Sequence, residues 1–195
     1  METKSIMIVG VGGQGSLLAS RILGHVFLSR GYDVKVSEVH GMSQRGGSVV
    51  TYIKYGDQVY SPIVEQGEAD FILSFEQLEA ARCLPYLKQD GTMILSTQQI
   101  DPMPVITGAA QYPEQIVEKL RQTGANIIAV DALALAQQAG SAKATNTVLI
   151  GILSQKMPFP QEEWEKAIQE LVPERFLTLN QKAFALGREA ADREE

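Results

Sequence analysis

Two glycine-rich runs carry the residues best suited to chemistry in this chain. They are Gly10-Val11-Gly12-Gly13-Gln14-Gly15 and Ser43-Gln44-Arg45-Gly46-Gly47-Ser48, with Glu38 and His40 just ahead of the second. Glycine lets a ligand reach the backbone and adopts angles that side chains forbid. Where such a run follows a strand and opens a helix, free N–H groups and the positive end of the helix dipole favour an anion. Arg45 adds a planar cation suited to phosphate or carboxylate. Gln14, Ser43, Gln44 and Ser48 are neutral hydrogen-bonders, and Met42 is a soft apolar surface. Glu38 and His40 form the one titratable pair nearby and are the candidates for proton transfer. The set suits holding an extended anionic ligand, or docking a partner's loop, better than unaided chemistry.

Each of these residues also has an ordinary structural use. His40 can hydrogen-bond a backbone carbonyl at a strand end. Glu38 can pair with Arg45, and Gly46-Gly47 can simply start a hairpin. In a dinucleotide-binding fold an acidic residue about 20 positions after the glycines meets a ribose hydroxyl, and Glu38 stands near that place. The chain then enters residues 40–47 instead of a helix, which argues against NAD binding. Asn146, opening an apolar helix after Ala144-Thr145, reads as a cap rather than a ligand group. There is no nucleophile elbow, no P-loop and no metal-ligand spacing. Gly56-Asp57 invites comparison with the start of a thiamine-diphosphate motif. Gln58 stands where the second glycine belongs, and no Asn-Asn pair follows.

The elements that position these runs follow from hydrophobic pattern. Ser5–Val9 reads as a buried strand and Ser16–Ser29 as a helix apolar on most faces. Val34–Glu38 alternates as a second strand, completing a β-α-β unit. Ser48–Lys54 is strongly β-like. Gly56-Asp57 is a turn, after which Gln58–Tyr60 is expected to pair back as a hairpin. Phe71–Phe75 and Gly91–Thr97 read as strands, with a helix over Glu76–Leu87 between them. Val105-Ile106 reads as a short strand, and Pro113–Thr123 as a helix with proline at its start. Asn126–Val130 is a strand, with Asp131 capping a helix through Ala139. Helices follow over Thr145–Lys156, Gln161–Val172 and Pro173–Asp192. The alternation predicts one α/β domain over residues 1–195. Its expected form is a three-layer, Rossmann-like open sheet, mostly parallel, with a β-hairpin insertion after the second strand. In such sheets ligands gather beyond the carboxyl ends of strands where strand order reverses. That rule brings both glycine runs together with Ser74-Phe75-Glu76.

Composition narrows the class of function. With 195 residues the chain is long enough to bury a substantial core, and its net charge of −6 argues against general nucleic-acid binding. No apolar run reaches the roughly 20 residues needed to span a bilayer, and the first residues lack a signal-peptide pattern. A cytoplasmic protein with no membrane partner is expected. The single cysteine, Cys83, cannot by itself form an internal disulfide, hold a four-cysteine zinc site or bind an iron–sulfur cluster. It reads as a small buried apolar residue. The two histidines, His25 and His40, lie too far apart in sequence to suggest a metal site.

Taken together, the first run and the stretch from Glu38 through Val49 are more specific than either alone. They resemble the small catalytic-domain subunits (beta or gamma type) of 2-oxoacid:ferredoxin oxidoreductases. The likeness is nearest to the beta subunits of the indolepyruvate branch. It continues through Tyr60-Ser61-Pro62, Gly67-Glu68-Ala69-Asp70 and Phe75-Glu76, covering nearly the whole chain in motif order. The resemblance implies a part in oxidative decarboxylation of a 2-oxoacid with coenzyme A, giving acyl-CoA, carbon dioxide and electrons for ferredoxin. It implies that thiamine diphosphate, magnesium and iron–sulfur clusters belong to a larger partner subunit, with none bound by this chain alone. It assigns coenzyme A contact to Gly10, Gly12, Gly13, Gln14, Gly15, Ser43, Gln44, Arg45, Gly46 and Gly47. A chain deprived of its partner is expected to self-associate. A free-standing dinucleotide-dependent reductase and a non-catalytic scaffold are the competing classes.

Overall fold

The structure, a computed structural model, describes residues 2–41 and 47–191. Six strands form one sheet in the order β2-β3-β1-β4-β5-β6, where β1 is Lys4–Val11, β2 Asp33–His40, β3 Ser48–Gly56, β4 Ala69–Ser74, β5 Leu87–Ser96 and β6 Asn126–Val130. β1, β4, β5 and β6 pair in parallel, and β3 is antiparallel to both β1 and β2. Five strands therefore share one direction. The open, mostly parallel α/β architecture is as the sequence predicts.

β1 lies near the middle because both its faces are apolar. Ile6 and Ile8 pack into one core layer, while Met7 and Val9 pack into the other. The first layer is covered by α1 (Ser16–Ser29), α5 (Ala132–Ala139), α6 (Thr145–Gln155), α7 (Gln161–Leu171) and α8 (Glu174–Ala191). The second lies under α2 (Gln77–Cys83) and α4 (Ile116–Gln122). α1 and α2 thus leave the sheet on opposite faces, so strand order reverses between β1 and β4. That junction is where a doubly wound sheet opens a crevice.

Several local expectations are corrected. β2 does not pair with β1, because β3 lies between them. The reason is burial. Ile53 and Tyr55 of β3 face the first core layer, and Val50 and Tyr52 of the same strand pack on the second. β2 carries Asp33, Lys35, Ser37, Glu38 and His40, which suit an edge strand. The hairpin is therefore β2 with β3, on either side of residues 41–47. Gln58–Tyr60 forms no strand: Asp33 accepts a hydrogen bond from Val59 N at 2.9 Å, and Tyr60 is 86% exposed. Val105-Ile106 belongs to a one-turn helix, α3 (Met103–Ile106), rather than a strand. α4 begins at Ile116, after Gln115 at φ 55°, so Pro113 lies outside it. Pro85, lacking an N–H, lies in a 3-10 turn over Leu84–Tyr86 that ends the α2 region, and β5 starts directly at Leu87. Asp131 caps α5 as expected, accepting from Ala134 N at 2.9 Å.

Candidate functional site

The first glycine run leaves the carboxyl end of β1 and turns into α1. Gly13 has φ 100° and Gly15, the residue capping α1, has φ 88° and ψ 27°. Both are angles that favour glycine. The environments of the two differ. A Cβ on Gly13 would meet nothing within 4 Å, whereas one on Gly15 would lie 2.7 Å from Asn146 Nδ2. Gly10 is a close-packing position, since a Cβ there would fall 2.8 Å from Gln14 Oε1 and 3.0 Å from Phe75 Cβ.

Gln14 closes the crevice at the reversal point with its own side chain. Its Oε1 accepts from Val11 N at 2.7 Å, and its Nε2 donates to Phe75 O at 2.9 Å and to Gln98 Oε1 at 3.2 Å. Both amide hydrogens are engaged. Gln14 is therefore a strut tying together the loops after β1, β4 and β5. Asn146 adds a second strut, with Nδ2 donating to Gly15 O at 3.2 Å and Oδ1 accepting from Thr147 N at 2.9 Å. The expected capping role of Asn146 is not seen: Ala144 caps α6, with no side-chain hydrogen bond.

The two runs meet. Gly12 N donates to Gly47 O at 2.9 Å. Met42, Ser43, Gln44, Arg45 and Gly46 lie outside the described residues, so only Gly47 and Ser48 of the second run are placed. Two clefts flank the first run. The larger, about 550 Å³, is bounded by Gly13, Gln14, Gly15, Leu18, Gln98, Leu133, Lys143, Thr145 and Asn146. The smaller, about 250 Å³, is bounded by Gly12, Gly13, Ser16, Glu38, His40 and Val49. A third hollow, about 650 Å³, lies further along the same sheet edge beside Gln77, Gln99 and Tyr112.

Glu38 and His40 share the smaller cleft but are not bonded as an acid–base pair. Glu38 Oε2 accepts from Thr51 Oγ1 at 3.2 Å and from Ser16 Oγ at 3.4 Å. His40 is exposed, with Nδ1 3.0 Å from Gly41 O, the backbone use anticipated for it. With β3 between β1 and β2, Glu38 reaches the start of α1 from the edge strand rather than from a strand beside β1 as in a plain dinucleotide fold. Cys83 is buried, and burial pushes its thiol up to about 11. Among the described residues no group of His, Cys, Asp and Glu is arranged to hold a metal ion, and no helix is long and apolar enough to cross a membrane.

Sequence reasoning missed Gln98 and Lys143. Gln98 reaches the site from the loop after β5. Lys143 sits in a 3-10 turn over Ala142–Ala144, opposite Gly13–Gly15, and supplies the cation of the larger cleft. Neither belongs to a motif. Only the lone charge in a small-residue stretch, Ala142-Lys143-Ala144, marks one of them.

The family described as Pyruvate ferredoxin/flavodoxin oxidoreductase matches residues 5–190. The chain is 45% identical over 198 aligned residues to indolepyruvate oxidoreductase subunit IorB of Thermococcus kodakarensis, covering 98% of this chain and 97% of that one. Its fold superposes with a TM-score of 0.73 on the gamma subunit of a keto/oxoacid ferredoxin oxidoreductase from Geobacter sulfurreducens, at 24% identity and covering 97% and 99% of the two chains. It also superposes, at TM-score 0.72 and 16% identity, on a 2-oxoglutarate:ferredoxin oxidoreductase from Magnetococcus marinus solved with 2-oxoglutarate, coenzyme A and succinyl-CoA bound. There it covers 99% of this chain and 32% of the longer one. With its glycine turn set at the reversal of a mostly parallel sheet and its match running nearly end to end, the chain belongs to the pyruvate ferredoxin/flavodoxin oxidoreductase family.

Proposed function

We propose that this chain is the small, single-domain subunit of a 2-oxoacid:ferredoxin oxidoreductase that acts on indolepyruvate or a related aryl 2-oxoacid. The observation that carries the reading is the 45% identity, across nearly the full length of both chains, to a subunit named for indolepyruvate. The reaction cleaves the bond between the carboxylate and the oxo carbon, releases carbon dioxide, joins the acyl group to the thiol of coenzyme A and passes two electrons to ferredoxin.

The residues of this chain fit the co-substrate rather than the redox groups. An iron–sulfur cluster needs several thiolates, and the one cysteine here is buried with its thiol held protonated. On this reading thiamine diphosphate, magnesium and clusters belong to a larger partner subunit, with which the single buried cysteine is consistent. Coenzyme A brings phosphates and a long thiol arm. The Gly12–Gly15 backbone and the start of α1, which has no side-chain cap and no acidic residue in its first turn, suit phosphate. Lys143 faces them across the larger cleft, with Leu18 and Leu133 lining it between. Gln14 and Asn146 hold the turn in shape. Ser43, Gln44, Arg45, Gly46 and Gly47 are proposed to complete the wall from the second run. On this reading the edge where β1, β4 and β5 end is the surface that turns toward the partner's active centre.

The test is a tagged pull-down from the native host, with the spectrum and activity of what is recovered. The expected product is a brown complex with a larger chain that oxidises aryl 2-oxoacids only when coenzyme A is present. A colourless protein without a partner, recovered under anaerobic conditions that keep labile clusters intact, would refute the reading.

A further inference from the structure

Two buried carboxylates on the first turn of α2 have no part in the chemistry above. Glu76 is 1% exposed and Glu79 4%. Burying a carboxylate is costly unless hydrogen bonds replace its water. Glu79 Oε2 accepts from Ser48 Oγ at 2.6 Å, and Oε1 accepts from Arg82 Nη1 at 2.5 Å. Glu76 Oε2 accepts from Glu79 N at 2.9 Å, the ordinary capping bond of the helix. Its Oε1 accepts from Ile100 N at 3.3 Å and from the Tyr112 hydroxyl.

These bonds reach beyond what a helix end requires. A cap needs one acceptor, which Glu76 supplies. Glu79 is not the cap, and its Arg82 pair stays within the same helix, three residues along. Its bond to Ser48 joins residues 31 positions apart. Ser48 begins β3 and follows Gly47, whose carbonyl accepts from Gly12 N. The path from Glu79 through Ser48 and Gly47 thus ends on the glycine turn.

We propose that Glu79 is a positioning residue of the glycine turn: by fixing Ser48 it holds the Gly47 carbonyl against Gly12 N and so sets the orientation of the Gly12–Gly13 backbone toward the co-substrate. This rests on the subunit reading. Glu76 supports the same helix turn from the other side, where it binds the loop after β5 that carries Gln98.

The test uses Ser48→Ala, Glu79→Ala and Glu79→Gln in the full chain assembled with its larger partner. Ser48→Ala and Glu79→Ala are expected to raise KM for coenzyme A about five- to tenfold, the loss of roughly one hydrogen bond, while kcat and KM for the 2-oxoacid stay near wild type. Glu79→Gln, whose carbonyl still accepts from Ser48, should stay within about twofold of wild type on the same reasoning. Amide hydrogen exchange at Gly12 in the isolated chain gives a readout independent of activity. Exchange should speed up about tenfold in Ser48→Ala and Glu79→Ala and much less in Glu79→Gln. Unchanged exchange at Gly12, Glu79→Gln matching Glu79→Ala, or a fall in kcat without a change in KM for coenzyme A would overturn the proposal. A wild-type complex indifferent to coenzyme A would instead overturn the subunit reading, and Gly12 exchange would then decide the positioning role alone.

Discussion

Gly13 and Gly15 share unusual backbone angles but answer to different forces, and substitution separates them. Gly13→Ala meets open space, so its cost is backbone strain alone, about 1 kcal/mol. Gly15→Ala adds a collision with Asn146 and should cost clearly more. A double-mutant cycle with Asn146→Ala is expected to recover part of that excess in urea unfolding, and strict additivity would show that the contact does not matter. Gln14→Ala should lower stability by about 2 kcal/mol, because it removes three hydrogen bonds joining separate loops. If Gln14 instead met the ligand, the same change would leave stability intact and weaken binding. Cys83 gives a pH signature. Its thiol is raised from an ordinary 9.0 to about 11 by burial, so the folded state keeps the proton longer than the unfolded chain. Its contribution to stability is full below about pH 9 and is lost as pH rises through 11. Cys83→Ala should flatten the decline of the urea midpoint across that window, and an unchanged slope would assign the decline to other groups that desolvation raises, such as Tyr52, Tyr55 and Tyr112.

Among the elements, the closest joint is the crossing of α6 and α8. A Cβ on Gly151 would fall 2.3 Å from Phe184 O, and one on Gly187 would fall 2.0 Å from Val148 O. Neither backbone can yield without moving a whole helix. Gly187→Ala should therefore destabilise by about 3 kcal/mol or more, read as a fall in the thermal midpoint. A near-neutral result would mean the helices sit further apart in solution. α6 also shows what sequence pattern conveys and what it does not. Its apolar run marks a helix, but burial on every side depends on α8 arriving from more than 30 positions away. The same limit explains β3. The β-branched and aromatic run of Ser48–Lys54 reveals a strand, yet nothing local says that it enters between β1 and β2. That insertion is decided by which strand has two apolar faces to bury. The glycine turn, α1 and the Asp131 cap were readable because their signals lie within a few residues of one another. Gln98, Lys143 and the Glu79–Ser48 bond were not, because each reaches the site across the fold and belongs to no motif.

Across the whole molecule, the glycine turn at the carboxyl edge of the sheet is where two clefts meet, one of about 550 Å³ shared with Gln98, Leu133 and Lys143, the other of about 250 Å³ shared with Glu38, His40 and Val49. An edge so furnished, on a chain whose one thiol is buried, suits a subunit that completes another chain's active centre. Alone, this chain is expected to reduce neither ferredoxin nor an artificial acceptor with any 2-oxoacid. The most direct measurement is an anaerobic titration of the purified chain into its larger partner loaded with thiamine diphosphate and clusters, following ferredoxin reduction with indolepyruvate and coenzyme A. The expected result is a rate that rises from near zero and saturates at a fixed stoichiometry, with Lys143→Ala raising KM for coenzyme A severalfold. A partner that already runs at full rate without this chain, or that gains nothing from it at any ratio, would contradict the subunit reading.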